Sequence, residues 1–104
     1  MPSEAQINQA RFWRKLQKLT RGRIDIFRAM EVIVEEENDP DFKAVLETVN
    51  AKLREGNPLS LAMEDAADRF SKSVRELVRS AEMSGAWDEI LPIIADGLED
   101  GTFG

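Results

Sequence analysis

Residues 10–36 read ARFWRKLQKLTRGRIDIFRAMEVIVEE. Phe12, Leu16 and Leu19 recur at i, i+4 and i+7, the spacing of one face of an α-helix. Gly22 follows as a stop, and Ile26, Phe27, Met30, Ile33 and Val34 open a second stripe of the same period. Strand alternation is absent, and Ala, Leu, Glu, Arg and Lys dominate. Two amphipathic helices joined by a short turn set the pattern for the whole chain.

Downstream, Asp39-Pro40 reads as an N-cap with proline at the first helical position. Phe42, Val45, Leu46, Val49 and Leu53 stripe a third helix, closed by Gly56. A fourth, short helix is expected from about Ser60 to Asp68. A fifth carries Val74, Leu77, Val78 and Ala81. Its start fits Ser73 with Glu76 as a capping box, and Ser71 competes for the cap. The sixth holds Trp87, Ile90, Leu91, Ile94 and Leu98, with Pro92 predicting a kink or a late start. The expectation is an all-α, compact six-helix bundle over residues 10–99, with a flexible arm at 1–9 and a flexible tail at 100–104.

The chain has 104 residues, fourteen Lys and Arg against twenty Asp and Glu, and neither Cys nor His. One domain fits that length. Without Cys there is no disulfide, thiolate nucleophile or cysteine zinc site, and without His the commonest general base and metal ligand are gone. No glycine-rich phosphate loop appears, so neither an enzyme nor a cofactor is expected. A carboxylate pair from Glu82 with Asp88 or Glu89, and an oxygen cluster of Glu35, Glu36, Glu37, Asp39 and Asp41, are read chiefly as solvated charges. No metal site is assigned to either. The acidic balance disfavours nucleic acid, and no apolar run is long enough to span a bilayer.

Charge is segregated along the chain. Residues 1–24 carry six basic side chains against Glu4, a net of +5, whereas residues 25–104 sum to −11. Arg11, Arg14, Lys15 and Lys18 share one helical face, a candidate contact for an acidic partner or an anionic membrane surface. Trp13 points about 100° away from Phe12 and is expected to be an exposed aromatic at that interface. The acidic end of the second helix, Glu35-Glu36-Glu37, opposes the helix dipole and is expected to fray or find a partner.

Three stretches together resemble a known family. They are Phe12 to Met30, with its Gly22 turn; Glu55-Gly56-Asn57-Pro58-Leu59-Ser60-Leu61-Ala62-Met63; and Ala81-Glu82-Met83-Ser84-Gly85-Ala86-Trp87-Asp88-Glu89-Ile90-Leu91. In this order they resemble the cytoplasmic F domain of type II secretion systems, shared with the inner-membrane platform proteins of type IV pili. The resemblance makes Gly22, Gly56, Leu59, Ser60, Glu82 and Gly85 structural motif residues. Glu82 is expected to accept hydrogen bonds or meet a base. Asp25 and Ser71 stand where the family often has proline, and Ala81 where it usually has glycine.

The resemblance implies a scaffold at the cytoplasmic face of the bacterial inner membrane. Its partners would be the assembly ATPase and inner-membrane assembly proteins, with self-association into a dimer or higher oligomer. It also implies that membrane anchoring lies in segments outside this chain, the Met1 start suiting the first domain of a longer protein. The alternative is a free-standing soluble helical adaptor or regulator that binds a partner by one helix face.

Overall fold

The computed structural model describes residues 3–66 and 68–103. Within them lie six α-helices and no strand: α1 (Glu4–Arg21), α2 (Ile26–Glu36), α3 (Pro40–Arg54), α4 (Leu59–Ala62), α5 (Lys72–Ser84) and α6 (Trp87–Glu99). A single 3₁₀ turn, Glu64–Ala66, follows α4, so the expected fourth helix is shorter than its pattern and breaks at Met63.

Local chemistry explains most boundaries. Ser3 and Gln6 form a reciprocal capping box at α1. The helix therefore begins at Glu4, and residues 4–9 are helical rather than an arm; residues 1–2 lie outside those described. Asp25 caps α2 by accepting from Arg28 N, Asp39 caps α3 with Pro40 behind it, and Ser71 caps α5 by accepting from Val74 N. Ser71, and not Ser73, is thus the cap. Both departures from the family's prolines supply an N-cap side chain instead. Pro92 sits inside α6, which starts at Trp87 without delay.

The core is a four-ring aromatic cluster wrapped in aliphatic side chains. Phe12 meets Trp13 edge-on at 4.8 Å and Phe42 at 6.1 Å, while Phe70 closes the group at 6.4 Å from Trp13 and 6.2 Å from Phe42. Trp13 is therefore not an exposed interface residue: it is 0% exposed. The reason is that α1 packs against both α6 and α2, which widens its buried arc beyond one stripe to take in Gln9, Ala10, Phe12, Trp13 and Leu16. The indole Nε1 donates to Gln9 Oε1 at 3.3 Å, and Gln9 Nε2 donates to the Arg69 carbonyl at 2.6 Å. Phe27 errs in the opposite direction. It is 45% exposed, because Ala29, Met30 and Ile33 define the inward face of α2 and Phe27 falls at its edge.

The C-terminal turn docks onto the bundle. Phe103 N donates to the Gly97 carbonyl at 3.1 Å, and Gln6 Nε2 donates to the Phe103 carbonyl at 3.2 Å. The Phe103 ring lies where a Cβ on Gly97 would stand, so only glycine admits this approach. Residues 100–103 are thereby held against α1 and α6; Gly104 lies outside the described residues.

Candidate functional site

Two arrangements bring together residues singled out in the sequence. The first joins the second and third motif stretches. Helix α4 is four residues long, and its N-cap position is Pro58, which offers no side-chain acceptor. One orphan donor at its start, Ser60 N, is met from elsewhere in the fold. Glu82, in the last turn of α5, accepts from Ser60 N at 2.8 Å through Oε1 and from Ser60 Oγ at 2.6 Å through Oε2. Its carboxylate thus acts as a cap supplied from another helix. An acid in a final turn opposes the dipole of its own helix, and here it serves the start of a neighbouring one instead.

Leu59, beside Ser60, is buried and anchors the short helix to the core. Gly85 ends α5 with φ 77°, and Gly56 follows α3 with φ 97°, both in the left-handed region. Gly22 differs: its φ is −78°, and the left-handed residue of that turn is Arg23 at φ 66°. Ala81, where the family usually has glycine, is fully buried, so its methyl group contributes to packing. Asp88 and Glu89 lie exposed in the first turn of α6, where they favour its dipole.

The second arrangement is the outer face of α1. Arg11, Arg14, Lys15 and Lys18 line an open groove of about 400 Å³ with Ile7, Ala10 and Glu99. The four cations are not equivalent. Arg14 is held by α6, with Nη2 2.5 Å from Asp96 Oδ1 and 2.7 Å from Glu99 Oε1. The hydrogen bonds it donates to Asp96 and then to Glu99 raise its pKa above the ordinary guanidinium value. Lys15 lies 3.7 Å from Glu36 at the end of α2. Among the described residues, Arg11 and Lys18 have no ion-pair partner.

The acidic run after α2 is also partly engaged. Glu37 Oε2 accepts from Asp39 N at 3.1 Å and from Asn8 Nδ2 at 3.4 Å, and Asp39 Oδ1 accepts from Asp41 N at 3.0 Å. Its carboxylates cap α3 and tie α2 to α1, and among the described residues they form no cluster suited to a metal ion. The partners Asp96 and Glu99 escaped the sequence reading. They are i, i+3 acids on the last helix, and nothing in the local pattern pairs them with an arginine 82 positions away.

The family model described as type II secretion system (T2SS), protein F, matches residues 12–102. The type II secretion system protein F of Vibrio cholerae is 29% identical over 87 residues, covering 84% of this chain and 21% of that protein. The Xanthomonas campestris pv. campestris protein of the same description is 32% identical over 72 residues, covering 69% of this chain and 18% of its own. The type IV pilus assembly protein PilC of Thermus thermophilus is 28% identical over 90 residues, covering 86% and 22%. This chain therefore spans about a fifth of the length of these relatives.

Proposed function

Because the chain belongs to the type II secretion system protein F family, we propose that it is a scaffold domain without catalytic activity. It would serve an inner-membrane platform protein for type II secretion or type IV pilus assembly. In this role it couples the assembly ATPase and inner-membrane partners to the growing pilin or pseudopilin fibre, acting at the cytoplasmic face and as a dimer or higher oligomer. Among the described residues no helix is long and apolar enough to cross a membrane, so anchorage on this reading comes from segments outside this chain.

The match over residues 12–102 carries the proposal. Its physical support is the Glu82–Ser60 clasp, which accounts for two family stretches as halves of one structural unit. Such a unit gives rigidity rather than chemistry. The docking surface in this reading is the unpaired part of the α1 face, Arg11 and Lys18, with Arg14 and Lys15 fixing the helix to its neighbours.

The test replaces the natural gene in the source cell with one carrying Arg11→Glu and Lys18→Glu, and scores secretion, piliation and crosslinking to the assembly ATPase. Loss of assembly with normal protein levels is expected. Normal secretion and piliation in a strain deleted for the gene would remove the proposal. A soluble band near 11.8 kDa in fractionated source cells would instead favour the free-standing adaptor.

A further inference from the structure

The largest run of unpartnered positive charge lies at the end of α1 and not along its groove. Lys18, Arg21 and Arg23 pass through the last turn of α1 into the connection to α2, and all three are exposed. Among the described residues none is within ion-pair distance of a carboxylate. The nearby acids are engaged already. Asp25 accepts from Arg28 N at 3.1 Å as the cap of α2. Glu31 pairs with Arg28 at 3.3 Å and with Arg54. Phe27 stands in the same segment, 45% exposed. Helices α1 and α2 pack on each other, so this connection stands at one end of the pair, with the cations where α1 ends and the exposed Phe27 in the first turn of α2.

We propose that the α1–α2 turn seats the domain on an anionic lipid surface. Three observations choose a bilayer over an acidic protein. The charge is complementary and one-sided: residues 25–104 carry a net −11, so anionic lipid repels the rest of the molecule and admits this end. Phe27 is an aromatic placed to enter the headgroup layer while the long Lys and Arg stems reach phosphate. The patch is also small. Residues 18–28 present seven exposed positions, against about 20–30 residues per side in a specific protein interface. A lipid surface needs only several cations and an apolar wedge.

This inference does not depend on the coupling role, since it concerns the chain and lipid alone. The chain is titrated with vesicles of phosphatidylglycerol in phosphatidylcholine, and with phosphatidylcholine alone, by co-sedimentation. Binding is expected only with phosphatidylglycerol, and it should fall steeply with salt as the screening length shrinks. Each cation near the surface is worth about fivefold in partitioning, so Lys18→Gln, Arg21→Gln and Arg23→Gly together should weaken binding about 100-fold. Glycine at 23 suits the observed φ of 66°, and an unchanged melting temperature verifies the fold. Phe27→Ser should weaken binding separately.

A charge-matched control, Lys43→Gln, Lys72→Gln and Arg79→Gln, should bind like the parent. No binding to phosphatidylglycerol vesicles, or an equal loss in the control, overturns the proposal. Binding to polyglutamate without binding to vesicles also overturns it, in favour of an acidic protein.

Discussion

Removing the Glu82 carboxylate tests whether a cap supplied from another helix holds α4 in place. Glu82→Ala deletes both acceptors that Ser60 uses, at 2.8 and 2.6 Å. Hydrogen bonds to a charged group contribute about 1.5–3 kcal/mol each. Both residues are half-buried, so each bond falls at or somewhat below the lower end of that range, and the pair contributes about 2–3 kcal/mol. At about 4–8 °C per kcal/mol for a domain of this size, the melting temperature should fall by about 10–20 °C. Ser60→Ala keeps the backbone donor and loses only the hydroxyl bond, so it should cost about 1 kcal/mol. Glu82→Gln keeps an acceptor for the backbone N–H and should fall between the two. A double-mutant cycle of Glu82→Ala with Ser60→Ala, followed by urea unfolding, should return a coupling of about 1 kcal/mol. A Glu82→Ala domain melting within about 3 °C of the parent, with no coupling to Ser60, would falsify the clasp as the reason the two stretches belong together.

Gly97→Ala should destabilise the chain by more than 1 kcal/mol or so through its clash with Phe103. In a Phe103→Ala background the same change should stabilise by about 0.5–1 kcal/mol, as helix propensity dictates, and thermal melts read that reversal of sign. Trp13→Ala should cost about 3–5 kcal/mol, as for other buried aromatics, and Trp13 fluorescence should resist aqueous quenchers because the ring is fully buried. Asp100, bonded by the Thr102 hydroxyl and then by its backbone N–H, has its pKa held below the ordinary carboxylate value. That bond is therefore present above the ordinary range and lost as pH falls through the lowered value. Carboxyl NMR should show the Asp100 titration moving back up in Thr102→Val.

The sequence made the helices legible because apolar residues recur at helical spacing and the caps are local. Asp25, Asp39 and Ser71 each bond a backbone N–H two or three residues on, a reach that sequence reading covers. Burial was less legible where it depends on how many neighbours a helix has. Trp13 reads as lying off its stripe and Phe27 as lying on its own, but α1 packs against both α6 and α2 while α2 leaves its outer edge to solvent. The pairing of side chains was hidden for the same reason. Glu82 reads as an acceptor from its place near a helix end, but its donor lies 22 residues earlier. The Arg14 partners lie 82 and 85 residues later.

That hidden pairing changes what the segregated charge means. Read linearly, a +5 end precedes a −11 remainder, and the α1 face is one continuous basic strip. In the folded chain the middle of the strip is neutralised by its own neighbours, Arg14 by α6 and Lys15 by α2. These are exposed pairs, each worth about 0–1 kcal/mol, so they orient α1 more than they stabilise it. They also divide the strip, leaving Arg11 on one side and Lys18 with Arg21 and Arg23 on the other. Substitutions in the middle should therefore act on how α1 sits, and substitutions at the ends on what the domain meets. The Glu82 clasp belongs to α4 and α5 and involves none of these residues. Its loss should lower stability and leave the charge of the α1 surface as it was.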